Sequence, residues 1–393
     1  MVAVFVIYGL ISEETDSMAA NGENQRERMR ERPRKGGKPM SKSFVNKALL
    51  GGAVAAGAAV WAIAPRTFSD KRRNYVPSIP DVWYAHRGLH DAGSGLTAQY
   101  ANESGEYVAL ARRMAMKAGY GSPSVTGAIA PENSLAAFAA ACEAGYGIEL
   151  DLQMTADGEI VVVHDGDLMR VAGDPRRIAD LTYDELTRIP LFPTDAPGAA
   201  VAAPLPGSLE KPPLVTTPDS APEGYFQHVP LFADVLKVVA GRVPLIVEYK
   251  FDDNSKWGSR DVELMEKGDA LLQAYSGAYV IESFNPAAVN WYKENRPEVC
   301  RGQLSWWPYG EDKPTDPVAL GKEYAAGALI FDWISRPDFV AYDWHGGNSP
   351  QVRLARFMGA VPVSWTVRSR DELAQCDDWF DHHIFEAFVP DEQ

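Results

Sequence analysis

The chain has 393 residues, a net charge of -15, and 46% hydrophobic and 23% charged residues. That length can bury one large core or two ordinary ones, and the composition excludes wholesale disorder. The acidic balance excludes a nucleic-acid-binding surface over the bulk of the chain, but permits a phosphate ligand wherever a metal or a few cations reverse the local field.

The first 43 residues join a short apolar start, MVAVFVIYGL, to the Arg-rich stretch NQRERMRERPRKGGKP, which lacks apolar periodicity and reads as disordered. Residues 44–65 follow as a hydrophobic helix, uncharged from Ala48 to Pro65. That run just reaches bilayer-spanning length and predicts a single-pass membrane anchor; a cleaved signal peptide and a soluble helix are the alternatives. Pro65, directly after Ala62-Ile63-Ala64, disfavours cleavage. Its orientation depends on the start. From Met1 the basic flank Arg28 to Lys47 puts the N-terminus in the cytoplasm, whereas from Met40 the balance reverses. Residues 66–80 read as a linker.

The folded body is expected over 81–390. Eight apolar runs read as strands, at residues 82–88, 146–152, 159–165, 244–250, 278–284, 328–334, 361–367 and 382–388. Amphipathic stretches separate most of them, at 131–145, 181–189, 229–241, 261–277 and 286–297. Alternating short strands and helices predict an α/β fold with a closed (β/α)8 barrel; an open doubly wound sheet is second, with no Gly-rich phosphate loop after the first strand to support it. Residues 89–130, expected to hold a short helix, and the Pro- and Ala-rich residues 190–228 read as insertions. Cys142, Cys300 and Cys376 are far apart in sequence and read as free thiols, which favours a reducing compartment.

The stretch IELDLQMTADGEIVVVHD, residues 148–165, carries the chemistry. Glu149 and Asp151 are two apart, so on a strand both point to one face, and in a barrel the C-terminal end of that face is where sites are built. Glu248 and Lys250 repeat the spacing, His86-Arg87 closes another run, and His164-Asp165 a fourth. One acid at a strand end usually faces solvent; four strands ending in ionisable groups point to a shared site. Three carboxylates without cysteine form a hard, all-oxygen set that suits Mg2+ or Ca2+. Two histidines beside them suit acid–base work, and Arg87 and Lys250 suit a phosphate. Together they predict phosphodiester cleavage. Only about eight residues separate Asp151 from Ile160, too few for a helical crossover. A hairpin there is expected to leave His164 far from Asp151, so an extended return to a parallel neighbour is preferred.

The order AHRG, PENSLAAFAAACEAGYGIELDLQMTADGEIVVVHDGDLMR, PLIVEYK, ESFNP and SWTVRSRDEL resembles the glycerophosphodiester phosphodiesterase family over residues 82–390. The resemblance implies a TIM barrel that uses a divalent cation to hydrolyse glycerophosphodiesters to glycerol 3-phosphate and an alcohol. It implies His86 and His164 as the acid–base pair; which is acid and which base stays open, with His86 as base and His164 as acid the preferred order. Glu149, Asp151 and Glu248 become the metal ligands, Arg87 and Lys250 the phosphate contacts, and Trp365 a wall of the glycerol pocket. By analogy with related phosphodiesterases, a neighbouring glycerol hydroxyl attacks phosphorus before water completes hydrolysis. Glu132 and Asn133 belong to the PEN motif, and for them a role in the site stands beside one in capping the helix that follows and tying down its loop. The long insertion after HRG, the Pro-rich loop and the ending HHIFEAFVPD depart from the family pattern. Activity on intact membrane lipid and a non-catalytic diester-binding role are the competing functions.

Overall fold

A computed structural model of the protein describes residues 56–66, 78–193 except 124 and 126, 227–308 except 255, and 315–391. The expected disordered segment 1–43, residues 44–55 of the expected anchor and most of the 190–228 loop lie outside the described residues. Residues 56–63 are helical, and no described helix is long and apolar enough to cross a membrane. Residues Ala62–Gln393 form one compact unit.

Its centre is a closed ring of eight parallel strands. In ring order these are β1 (Tyr84–Ala85), β2 (Gly147–Met154), β6 (Leu245–Tyr249), β7 (Tyr279–Ser283), β8 (Arg301–Ser305), β9 (Phe339–Asp343), β10 (Val361–Val367) and β11 (His382–Phe385), with β11 pairing back to β1. Two expected strands are corrected. Residues 328–334 form the turn after the helix Pro317–Gly327 and the start of the helix Asp332–Ser335, while β8 and β9, which flank them, complete the ring. Arg301–Ser305 (RGQLS) lacks the long apolar run that marks a strand in sequence. The barrel tolerates it because Gly302 leaves room for the Phe339 ring, which a Cβ there would meet at 2.1 Å.

The second correction concerns 159–165. β3 (Ile160–Val162) pairs antiparallel with β2, Leu152 opposite Val162 and Met154 opposite Ile160, instead of returning parallel. The turn closes locally. Glu159 N–H donates to Thr155 Oγ1 at 2.9 Å, and Gly158 takes φ 83°, where an L side chain would be strained. The hairpin does not carry His164 away, because β2 runs three residues past Asp151 before it turns. The returning strand is level again at Val163, whose N–H donates to the Asp151 carbonyl. A small ribbon of β4 (Asp167–Leu168) and β5 (Asp174–Arg177) follows.

The helices Leu135–Ala144, Phe232–Val239, Ser259–Gln273 and Pro286–Asn295 fall where amphipathic stretches were expected. The 89–130 insertion holds a helix of 17 residues, Ala101–Lys117, longer than expected, which packs on Leu135–Ala144. The barrel floor is apolar: Tyr84, Ile246, Val280, Phe339, Val363 and Ile384 fill it, joined from upstream of residue 81 by Ile79.

Candidate active site

Side chains alternate along each strand, so the residue two beyond each floor residue points into the upper barrel. Tyr84 leads to His86, Ile246 to Glu248, Val280 to Glu282 and Ile384 to Glu386, while Glu149 and Asp151 share a face of β2. Strand register sets the acids side by side, Asp151 opposite Glu248 and Glu248 opposite Glu282. β1 stops pairing with β2 at Ile148, and β3 takes over the same edge from Leu152. His86 and His164 therefore emerge on either side of the stretch of β2 that carries Glu149 and Asp151, where that edge passes from β1 to β3.

His86, Arg87, Glu149, His164, Glu248, Lys250 and Trp365 line one cavity, together with Glu282 and Arg368. Asp151 belongs to the same cluster. The structure thus brings every sequence-predicted site residue together. For Glu132 and Asn133, of the two roles open to them, the capping one falls to another residue. Ser134 caps the helix, its side chain accepting from Ala137 N–H. Asn133 Nδ2 instead donates to Asp151 Oδ2 at 2.8 Å, and Glu132 accepts from Arg87 Nη1 at 2.8 Å.

Glu149, Asp151 and Glu248 each offer an oxygen, and these oxygens lie within 4.8 Å of one another. All three residues are buried. Glu248 Oε1 has no hydrogen-bond partner, and Asp151 Oδ1 makes no hydrogen bond although Lys250 Nζ stands 3.3 Å away. Burial, with Asp151, Glu248 and Glu282 nearby, holds the Glu149 carboxyl well above the usual carboxylate range. Burial also pushes Glu248 up to about 7 despite Lys250 at 2.8 Å. At Asp151 burial is outweighed by Lys250, His164 and Arg87, and the pKa falls. Converging buried oxygens, some unpartnered and two reluctant to ionise, fit a hard divalent cation, which would compensate the charge the protein leaves uncompensated. The triad can bind a divalent metal.

Both histidines are held by carboxylates. His86 Nδ1 lies 2.6 Å from Glu386 Oε2, and His164 Nδ1 lies 2.6 Å from Asp165 Oδ1. An ionised carboxylate only accepts, so each Nδ1 carries the proton and each Nε2 is left for the cavity. His86 Nε2 stands 3.9 Å from Glu149. Burial lowers the His86 pKa to about 4 against the pull of Glu386. Burial, Arg87 and Lys250 lower that of His164. Asp165 is in turn gripped by Arg170 Nε at 2.6 Å, and Arg170 Nη2 reaches Glu132 at 2.6 Å. Gln153 Nε2 donates to the carbonyls of Val163, His164 and Asp165 and so fixes the backbone after β3.

Arg87 takes φ 57° and Gly88 φ 79°. A Cβ at Gly88 would sit 2.9 Å from the Ala137 backbone, so the HRG turn needs glycine for close approach to the helix. The left-handed turn leaves Arg87 N–H on Glu149 Oε2 at 3.0 Å and Nε 3.6 Å from Asp151. Trp365 packs edge-on to Phe284, centroids 5.5 Å apart.

Sequence reasoning missed Glu282, Glu386, Arg368, Arg170 and Ser94. For the two acids a signal existed: AYVIESF and HHIFEAF also place an ionisable residue two past an apolar inward position, as the four recognised strands do. Ser94 sits in a turn and Arg170 in the short helix Met169–Ala172, and neither carries a local signature.

An eight-stranded barrel with a carboxylate cluster and two carboxylate-held histidines around one cavity defines a barrel protein that can hold a divalent cation beside two histidines. Residues 125–385, well over half of the chain, match the glycerophosphoryl diester phosphodiesterase family, and the chain belongs to it. The chain is 43% identical over 60 residues to a glycerophosphodiester phosphodiesterase of Caldanaerobacter subterraneus, covering 15% of this chain and 25% of that one. It is 43% identical over 61 residues to glycerophosphodiester phosphodiesterase 1 of Bos taurus, covering 15% and 18%. These matches span a quarter or less of the curated relatives' length. Among solved structures, a glycerophosphodiester phosphodiesterase from Thermotoga maritima is similar at TM-score 0.44 and 17% identity, covering 78% of this chain and 95% of that one.

Proposed function

We propose that the protein hydrolyses glycerophosphodiesters to glycerol 3-phosphate and an alcohol with the help of Mg2+ or Ca2+. The observation that carries this reading is the convergence of two carboxylate-held histidines on a cavity that also holds three buried metal-competent acids and the cations Arg87 and Lys250. Family membership supports it.

A divalent cation held by Glu149, Asp151 and Glu248 would supply fixed positive charge for the phosphate's non-bridging oxygens. Arg87 and Lys250 add charge-assisted hydrogen bonds to the same group and hold it in line. His86 Nε2 takes the proton of the attacking hydroxyl, since its Nδ1 is committed to Glu386. His164 acts in its doubly protonated form, with Asp165 accepting from Nδ1, and passes the Nε2 proton to the departing alcohol oxygen, and the two histidines exchange roles when water attacks. The attacking hydroxyl is the glycerol hydroxyl next to the ester, and water then opens the cyclic phosphate to leave glycerol 3-phosphate. Trp365 walls the glycerol pocket.

The reading includes a single-pass membrane anchor over 44–65, supported by the uncharged run from Ala48 to Pro65. Carbonate-resistant sedimentation of the full chain with membranes is expected, and quantitative release by carbonate would remove the anchor from the proposal.

The test of the activity follows glycerol 3-phosphate release from glycerophosphocholine and glycerophosphoethanolamine by protein stripped of metal, with Mg2+, Ca2+ or chelator added. Metal-dependent release is expected. No release with any metal would overturn the reading, and release of phosphorylated product from phospholipid vesicles alone would move the substrate to intact lipid.

A further inference from the structure

Groups from three separate parts of the chain converge on the carboxylate of Glu386, which is fully buried. His86 Nδ1, at the end of β1, lies 2.6 Å from Oε2. Ser94 Oγ, from the 89–130 insertion, donates to the same oxygen at 2.6 Å. Arg368 Nε, just past β10, donates to Oε1 at 2.6 Å. His90 Nε2 stands 3.6 Å from Oε2. Their attraction, His86 and Arg368 foremost, overcomes burial and holds Glu386 well below the usual carboxylate range.

The insertion is shaped for this contact. Gly93 takes φ 151° and Gly95 φ 75°. A Cβ on Gly93 would lie 2.5 Å from Glu132 Oε2, and one on Gly95 would lie 2.7 Å from the Glu386 carboxyl. Two glycines therefore let the backbone press against both carboxylates, and the residue between them bonds each: Ser94 N–H donates to Glu132 Oε2 at 2.5 Å while its hydroxyl takes Glu386. The insertion is thus part of the wall that holds His86. His86, Ser94 and Glu386 all lie outside residues 125–385, the stretch that matches the family.

We propose that Glu386, clamped by Ser94 of the insertion and by Arg368, is the positioning residue that holds His86 as its Nδ1–H tautomer with Nε2 turned to the reacting group. A carboxylate in this position accepts and cannot donate, so it fixes both which ring nitrogen is protonated and how the ring is rotated. Ser94 and Arg368 hold the carboxylate in turn, so the insertion acts on the proton-transfer step through hydrogen bonds, without touching substrate. The inference rests on the reading of His86 as the proton-transferring group.

The experiment compares Glu386→Gln, Glu386→Asp and Ser94→Ala in the full chain. Glutamine keeps the shape but has one acceptor oxygen for three donors, so it must turn its NH2 toward one of them. Glu386→Gln is expected to lower kcat by about 10²–10⁴-fold. KM should stay within about threefold, and Mg2+ affinity by calorimetry should match the wild type. Long-range 1H–15N spectra of His86, taken without substrate, should show the single Nδ1–H tautomer of the wild type replaced by a mixture. Glu386→Asp restores a carboxylate and should recover at least about tenfold of the loss, and Ser94→Ala, which removes one neutral donor, should lower kcat about 3–10-fold. Turnover of both Glu386→Gln and Ser94→Ala within twofold of wild type, or an unchanged His86 tautomer in Glu386→Gln, would overturn the proposal. Wild type that releases no glycerol 3-phosphate would sink the functional reading instead, and the tautomer measurement would still decide whether Glu386 sets His86.

Discussion

The lower and upper halves of the barrel are built on the same strands and differ completely in chemistry. Two residues separate Tyr84 from His86, Ile246 from Glu248, Val280 from Glu282 and Ile384 from Glu386. The lower members are packed hydrocarbon and aromatic rings. The upper members are buried acids and a histidine whose ionisation the fold strains or fixes. One rigid backbone therefore gives stability from one layer and positioned chemistry from the next. Changes in the floor should cost folding and spare chemistry, and changes in the upper layer should do the reverse.

The sharpest test is His86→Ala or His164→Ala, expected to cut turnover by about 10²–10⁴-fold with an unchanged melting transition. Stopped assays beside a calorimetric scan would measure both, and near-normal turnover would remove that histidine from the chemistry. The opposite change, Ile246→Ala in the floor, is expected to destabilise by about 2–5 kcal/mol. Denaturant titration measures it, and the turnover per folded molecule should stay near that of wild type.

A third test uses the metal. Saturating Mg2+ or Ca2+ at about 100 times Kd should add about 2.7 kcal/mol to the stability of chelated protein. Glu248, raised to about 7, must lose its proton before it can bind a cation. The thermal shift should therefore be larger at pH 8 than at pH 5, and a shift that grows on acidification would contradict the ligand assignment.

The smallest expected effect concerns the rim. Asp165 is held at about 2, its burial outweighed by His164 and Arg170, and Glu132 is held low because Arg87 and Arg170 outweigh its burial. A depressed acid contributes stability that is full above the ordinary carboxylate pKa of about 4 and is lost as pH falls towards the folded value. Asp165 is partly exposed and solvent screens it, so its share is about 1 kcal/mol. Replacing it with Asn should flatten the stability curve between pH 4 and 2, and an unchanged curve would show that the Asp165–Arg170 pair adds nothing there.

Much of the site was legible because strand alternation is a local rule. Glu149 and Asp151 share a face by spacing alone, and His86, Glu248 and Lys250 follow apolar leads that mark strand ends. The same rule applied to AYVIESF and HHIFEAF reaches Glu282 and Glu386, so those two were legible and overlooked. The hairpin of β2 and β3 was misjudged for another reason. The turn chemistry of Thr155 to Gly158 pointed to it correctly, but the distance from His164 to Asp151 depends on how far β2 continues before turning. Arg301–Ser305 was invisible because its short polar-rich run becomes a strand only where barrel closure supplies two neighbours.

By itself the sequence determined six of the eight ring strands, the acids and histidines at strand ends, and the all-oxygen character of the candidate metal set, because each depends on residue type and spacing over a few positions. Only the tertiary structure decided which strands close the ring, that Glu132 and Asn133 hold Arg87 and Asp151 instead of a helix end, and that Ser94 reaches Glu386. Those contacts join residues up to 300 positions apart, His86 to Glu386 among them. No local pattern encodes such a pairing; it arises when a closed barrel brings its first and last strands side by side.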